Sequence, residues 1–384
     1  MDPFDIRAIM EALLIGSIFF VFYSYMGYPI SLYLLGLFRK KDVERKIHYP
    51  HVTMIITAYN EGKRIKAKIE NTLRLSYPKD RLQIVIASDG STDDTNRIAE
   101  SHRDSGIELF AIPIRGGKEN AQKEALKIAN GDVIVFTDVA TILEPSGLEW
   151  IVSNFADPSV GCVSSEDRLV GRDGKPSGEG IYVRYEMLLR RLESRVNSLV
   201  GLSGSFFAAR KAVCRDFSGD MQSDFRTLLN SIRMGLRGVS APEATGSYLD
   251  VSDSSREFDR KVRTVLRGLT VFFRHLEFLN VLKYGFFSYQ YFCHKLLRWL
   301  DPFFLIIAFI ANLLLASKSQ GYFLLFAVQL SFYGAAIWGW KAGRQRGNMT
   351  RIPFYFLTVN ASIVIAWCRY LKRERVVMWT PSER

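Results

Sequence analysis

Residues 52–95 constrain the fold more than any other stretch: VTMIITAYNEGKRIKAKIENTLRLSYPKDRLQIVIASDGSTDDT. A short apolar, β-branched run over 52–57 stops at the polar turn Ala58-Tyr59-Asn60-Glu61. Helical spacing follows at Ile65, Ile69 and Leu73. A second apolar run over 82–87 then stops at Ser88-Asp89-Gly90. Strand, helix, strand in this order predicts a βαβ unit, with polar residues at the carboxyl ends of both strands, where open α/β sheets bind ligands. Further strands are expected over 108–112 and 132–137, with helices starting near Glu61, Thr92 and Lys118. The run STDDT offers hydroxyls and carboxylates to cap a helix. Beyond these, 178–199 reads as a long helix, 203–210 as a strand and 224–235 as a helix.

A chain of 384 residues exceeds one ordinary domain. It is 48% hydrophobic, yet 23% of its residues are charged, a mixture that predicts a soluble domain joined to membrane segments. Residues 12–38 carry no charge, and a bilayer core needs about 20 apolar residues. The run is too long for a signal-peptide core and has no small-residue cleavage site, so it is expected to be retained. Further apolar runs cover 302–317 (extended by 296–300), 321–340 and 352–371. The formal charge of +12 follows the flanks of these runs: Arg39, Lys40 and Lys41, then Lys341, Arg344, Arg346 and Arg351. The positive-inside rule accounts for that bias without nucleic acid, and it places the Lys40 side in the cytoplasm. Between 256 and 300, cations alternate with aromatic and aliphatic residues, as in helices lying in a membrane interface. Cys162, Cys214, Cys293 and Cys368 show no metal-type spacing and read as reduced packing residues.

Four motifs then occur in order, each at a strand end: AYNE, SDGSTDDT, GGK at 116–118 and FTD at 136–138. Together they resemble the nucleotide-sugar half of a membrane-bound family 2 glycosyltransferase of the GT-A fold, similar to the cellulose, chitin and hyaluronan synthase group. The resemblance runs from about Val52 to Arg263. It implies an N-terminal transmembrane helix (1–40), a cytoplasmic α/β GT-A domain of Rossmann-like build (45–255), interfacial amphipathic helices (256–300), C-terminal membrane helices (301–371) and a basic cytoplasmic tail (372–384) containing Trp379 and Arg384. The expected location is the plasma membrane or cell inner membrane, with several crossings. Parity and charge together predict that 352–371 dips into the membrane without crossing it.

Carried over residue by residue, the resemblance assigns Ala58, Tyr59, Glu61 and Asp89 to the uridine of a UDP-sugar, and Lys118 to its phosphate or uracil. Asp138 matches the first carboxylate of a DxD element and would hold Mg2+ or Mn2+. Asp224 in MQSDF matches the catalytic base, with Glu166 and Asp167 as competing carboxylates. Ser203, Gly204 and Ser205 would meet the acceptor, a glycan or a lipid-linked sugar. Each assignment has a plainer alternative: Asp89 as a turn residue before Gly90, Asp138 as the cap of a core strand, and Asp224 as a helix cap.

The sequence departs from the family pattern at three places. Ala140 stands where DxD has its second Asp, and Ser223 precedes Asp224 where Glu is usual. RKVRT (260–264) replaces QxxRW, which keeps Arg263 as a phosphate clamp beside Arg260 but loses the Trp platform at Thr264. The expected activity is inverting transfer from a UDP-sugar to a growing exopolysaccharide, with an export partner protein compatible with it. A single addition to a lipid-linked acceptor and a non-catalytic scaffold are the alternatives.

Overall fold

The computed structural model describes residues 3–170, 180–249, 254–343 and 348–376. Arg344, Arg346, Trp379 and Arg384 of the sequence expectations lie outside the described residues. In chain order, α1 (Pro3–Phe22), a π-helical turn (Tyr23–Gly27) and α2 (Tyr28–Phe38) precede β1 (Val52–Ala58), α3 (Ile65–Leu73), β2 (Leu82–Asp89), α4 (Thr95–Glu100), β3 (Ile107–Ile112), α5 (Lys118–Ala125), β4 (Val133–Asp138) and β5 (Ile142–Leu143). Then come α6 (Gly147–Ser153), β6 (Val160–Val170), α7 (Gly180–Val196), β7 (Phe206–Arg210), α8 (Ser223–Arg233) and β8 (Arg237–Leu249). The remainder is helical: α9 (Ser254–Arg274), α10 (Val281–Tyr284), α11 (Phe286–Tyr291), α12 (Arg298–Leu315), α13 (Gln320–Lys341) and α14 (Asn348–Leu371).

Two compact units divide the chain. The α/β unit takes Leu32–Ser252, Phe273–Phe287 and the last residues, and the helical unit takes Met1–Ser31, Asp253–Phe272 and Ser288–Arg375. The stretch expected as one interfacial piece, 256–300, is therefore shared between them.

In the α/β unit, eight strands form one sheet in the order β3-β2-β1-β4-β7-β6-β8-β5. The β3-β2-β1-β4 half is parallel, whereas β7 runs antiparallel to both β4 and β6. All of β1 is buried, which is why its sequence reads as a continuous apolar run without alternation. Met54 and Ile56 pack with Ile65 and Ile69 of α3 on one face. Ile55 packs with Ala121 and Ala125 of α5 on the other. From β1 the chain moves outward through β2 and β3, then returns to the opposite side of β1 as β4. The crevice at the carboxyl ends of β1 and β4 is thus the topological switch point.

Three boundaries differ from the sequence expectation, each because a loop spends its polar groups elsewhere. Arg64 and Ile65 N–H both turn back onto the Glu61 carbonyl at 2.8 Å, so α3 starts at Ile65 and not near Glu61. In STDDT, Asp93 accepts from Gly62 N–H as well as Thr95 N–H, and α4 begins at Thr95. Residues 203–205 wrap around the Asp167 carboxylate, so β7 begins at Phe206.

The helical unit contributes most of the chain's long apolar helices. Four stretches are long and apolar enough to cross a membrane by length and composition: Ile6–Phe38, Phe286–Leu315, Gln320–Lys341 and Met349–Leu371. A π-helical turn at Phe292–Leu297 joins α11 to α12, so residues 286–300 belong to a spanning-length helix. Polar groups among these helices find partners within the unit. Ser24 Oγ donates to Asp301 Oδ2 at 2.5 Å, and the Tyr289 hydroxyl pairs with those of Tyr23 and Ser31 at 2.8 and 2.6 Å. Polar residues in spanning helices take this inward orientation because lipid offers them no partner. Cys162, Cys214, Cys293 and Cys368 are all free thiols.

Candidate active site

The ends of β1 and β2 are tied to each other by side chains. Asn60 adopts φ 51°; its side-chain oxygen accepts from Thr92 N–H at 2.8 Å, and its own N–H donates to Ser91 Oγ at 3.1 Å. Glu61 N–H donates to Thr95 Oγ1 at 2.8 Å, and Gly62 N–H to Asp93 Oδ2 at 2.9 Å. AYNE and SDGSTDDT are thus two halves of one loop system. The Glu61 carboxylate is buried, which pushes its pKa up; Arg64, clasping both oxygens at 2.7 and 2.9 Å, opposes that shift. The Tyr59 ring lies under the Arg115 guanidinium, 3.7 Å from ring centroid to carbon. Ala58 is the buried last residue of β1.

Asp89 is fully buried. Its Oδ1 accepts from Gly116 N–H at 2.7 Å and its Oδ2 from Gly117 N–H at 2.8 Å. The carboxylate is thereby the anion at the N-terminus of α5, where free amides and the helix dipole favour negative charge. Gly90 follows at φ +67°, and a Cβ there would lie 2.8 Å from Arg115 N, so the SDG turn needs its glycine to admit the 115–117 loop. Asp89 holds that loop in place, and with it the side chain that follows.

That side chain is Lys118. Its ammonium stands 2.5 Å from Asp138 Oδ1 and donates to the Gly204 carbonyl at 2.9 Å. The Asp138 contact is an ion pair and not an aligned hydrogen bond, since Oδ1 accepts none among the described residues. Asp138 N–H donates to the Ser205 carbonyl at 3.1 Å. On the far side of the same loop, Asp224 Oδ2 lies so close to Gly204 that a Cβ there would be 3.3 Å away. Gln222 Nε2 donates to that oxygen at 3.2 Å. Lys118, Asp138, Gly204 and Asp224, predicted from four separate motifs, are therefore neighbours around one glycine.

Ser203 and Ser205 are placed differently from expectation. Both hydroxyls donate to Asp167 Oδ1, at 2.6 and 2.7 Å, which leaves them only their lone pairs for any acceptor. Arg190 braces Asp167 at 3.6 Å and donates to the Leu202 carbonyl at 3.4 Å. Glu166 is paired with Arg191. Both competing carboxylates are thus held by arginines. Arg260 and Arg263 lie on α9, in the helical unit. There Arg260 clasps Glu257 at 2.7 and 2.6 Å, with Lys261 also on Glu257 at 2.7 Å. Burial pushes the Glu257 carboxyl up, but Arg260 and Lys261, through their hydrogen bonds and charges, hold it well below the usual carboxylate range.

Sequence reasoning missed Lys68. It is fully buried on α3, donating to the Thr141 carbonyl at 2.6 Å and Thr137 Oγ1 at 3.1 Å. The amine therefore ties down both ends of the segment that carries Asp138. Burial lowers its pKa to about 7, with Asp138 opposing. The signal was present: a lysine three residues after Ile65 falls on the apolar face of its helix.

Residues 53–217 match the profile of glycosyl transferase family 2. The chain carries a family 2 glycosyltransferase domain. The poly-beta-1,6-N-acetyl-D-glucosamine synthase of Staphylococcus aureus (strain COL) is 25% identical to it over 232 residues, 59% of this chain and 53% of that protein. The synthase of the same name from Staphylococcus epidermidis is 23% identical over 208 residues, 53% of this chain and 48% of that protein. The chain spans about half the length of these curated relatives. Among solved structures, the mannosyltransferase PcManGT from Pyrobaculum calidifontis, in complex with GDP-Man and Mn2+, is similar with a TM-score of 0.77. The match covers 95% of this chain and 100% of that one at 22% identity, a likeness of fold that includes the GT-A architecture.

In the glycosyltransferase domain, Asp138 is the one carboxylate of the DxD element. Ala140 supplies no oxygen where a second carboxylate would stand. Asp138 is already paired with Lys118 and Glu61 with Arg64. Among the described residues, no three His, Cys, Asp or Glu side chains gather to hold an ion. The expected Mg2+ or Mn2+ would therefore have Asp138 as its single DxD carboxylate, with phosphate and water oxygens left to complete its shell.

Proposed function

We propose that this protein is an inverting membrane glycosyltransferase that adds a sugar from a UDP-sugar to a growing polysaccharide through a β-linkage. One observation carries the reading: the Lys118–Asp138 pair and the Asp224 carboxylate meet on two sides of Gly204. This brings a cation for the donor's leaving group and a base for the acceptor to one short loop. In the reaction, Asp224 takes the proton from the acceptor hydroxyl as its oxygen bonds to the anomeric carbon. The bond from that carbon to the β-phosphate oxygen breaks, and its electron pair leaves with UDP. A carboxylate within hydrogen-bond reach of the nucleophile can perform such a proton transfer. The names of the staphylococcal relatives support a polysaccharide product, and the spanning-length helices support placement at a membrane, with the α/β unit in the cytoplasm. Glycan, lipid and an export partner are the partners this reading implies.

The second reading, a single addition to a lipid-linked acceptor, is favoured by Thr264. This residue is exposed and donates to the Arg260 carbonyl at 2.9 Å; it offers no aromatic face on which a chain could rest. A panel of labelled UDP-sugars with product sizing separates the two. A ladder of long chains supports the synthase, one added residue supports the single transfer, and incorporation from no donor overturns both.

A further inference from the structure

We propose that Lys118 is itself the cation of the donor site, so that a nucleoside diphosphate binds this protein without a divalent metal. The inference rests on the donor reading above and concerns how that site meets phosphate charge. The Lys118 ammonium is 2.5 Å from Asp138 Oδ1, one of the two oxygens Asp138 has to offer a metal. A Mg2+ ion sits about 2.0–2.1 Å from its oxygen ligands and keeps a near-octahedral shell around itself. That shell and the ammonium cannot share one carboxylate oxygen. Ala140 supplies no second carboxylate from which a metal could be held clear of the ammonium.

The lysine is built into place and does not wander there. It opens α5, its preceding amides are pinned by the buried Asp89 at 2.7 and 2.8 Å, and its ammonium is anchored on the Gly204 carbonyl at 2.9 Å. With only 7% of the residue exposed, the charge is concentrated at the carboxyl ends of the strands. A lysine head group is a compact point charge with several donors and serves phosphate well in that form. The sequence departure at Ala140 and the ion pair at Asp138 are then two sides of one change: the second carboxylate is absent where an amine has taken the cation's place.

Calorimetric titration of UDP into the full-length, detergent-solubilised protein tests this, with EDTA in one series and Mn2+ in the other. The expected result is an affinity that differs by less than about threefold between the two series. Lys118→Met should lose about tenfold or more in EDTA and recover part of it with Mn2+, while Lys118→Arg, which keeps the charge, should bind in EDTA. Mn2+ alone, followed by its electron paramagnetic resonance signal, should remain free in the presence of the wild-type protein. UDP binding by the wild type that vanishes in EDTA and returns with Mn2+ overturns the proposal and leaves the donor reading intact. UDP binding in neither series overturns the donor reading and this proposal together.

Discussion

Gly204 lies against the Asp224 carboxylate so closely that a methyl group on its Cα would stand 3.3 Å from Oδ2, while its carbonyl accepts from Lys118. One residue without a side chain thus touches both the proposed base and the proposed cation. Gly204→Ala should displace Asp224 or the loop by a few tenths of an ångström. Because small misplacements of reacting groups are costly, turnover should fall roughly 10- to 100-fold. UDP affinity should stay near the wild-type value. Steady-state kinetics beside a UDP titration check this; a variant that loses both together would make Gly204 a purely structural residue.

Asp224→Asn preserves the shape of the side chain and its place in the first turn of α8, but removes the proton acceptor. Turnover should drop by about two to four orders of magnitude with donor binding unchanged. Normal turnover would reassign the base to a carboxylate that the structure shows paired with arginine, Glu166 or Asp167.

Asp89→Asn tests how the 116–118 loop is held. An amide keeps one acceptor oxygen, so one of the two backbone N–H groups at Gly116 and Gly117 loses its partner in a buried place. The protein should lose about 1–3 kcal/mol of stability, and UDP affinity should fall as Lys118 is released. Unchanged affinity in a destabilised variant would show that Lys118 is positioned by Asp138 and Gly204 alone.

The parallel half of the sheet was legible because a strand buried on both faces must be apolar throughout, and β1, β2 and β4 each end in the polar residues that gave the motifs. Asp224 was picked out by resemblance to a family motif, and the structure places it in the first turn of α8, close to the helix expected over 224–235. What sequence could not give is how polar side chains divide their bonds. Ser203 and Ser205 look available for an acceptor in a string of letters, but Asp167, far away in sequence, takes both hydroxyls. Likewise the Lys118–Asp138 pair joins positions on different elements, and no local pattern announces it. Residues 286–300 read as interfacial because Lys295 and Arg298 interrupt the apolar run, whereas the π-helical turn at 292–297 keeps one helix continuous through them.

Lys68 predicts a pH dependence of stability. Burial holds its pKa at about 7 in the folded protein, against an ordinary lysine value of about 10.4 when unfolded. Between those values the unfolded chain binds more protons, so this group makes stability rise with pH from about 7 to about 10. Below pH 7 the amine is charged in both states and the full cost of burying that charge is present. Lys68→Met removes the titration. The wild-type thermal midpoint should therefore gain on that of the variant as pH rises through this window, and parallel pH profiles would refute the assignment.

Topology gives the last prediction. If the α/β unit lies in the cytoplasm after the first helix, as proposed, crossings by Phe286–Leu315 and Gln320–Lys341 would return the chain to the cytoplasmic side. Met349–Leu371 is long and apolar enough to cross again, which would carry the cluster Lys372, Arg373 and Arg375 outside, against the positive-inside rule. Within the helical unit, however, α14 buries Asn360, Ser362, Ile363 and Ala366, and Asn360 Nδ2 donates to the Phe356 carbonyl at 2.9 Å. A polar stripe buried against protein suits a helix that dips beside its neighbours as well as one that crosses, so charge decides between them. Arg375→Cys, in a background lacking the four native cysteines, should resist a membrane-impermeant maleimide in intact cells and react after lysis. Labelling of intact cells would instead establish a fourth crossing and a tail on the outer face.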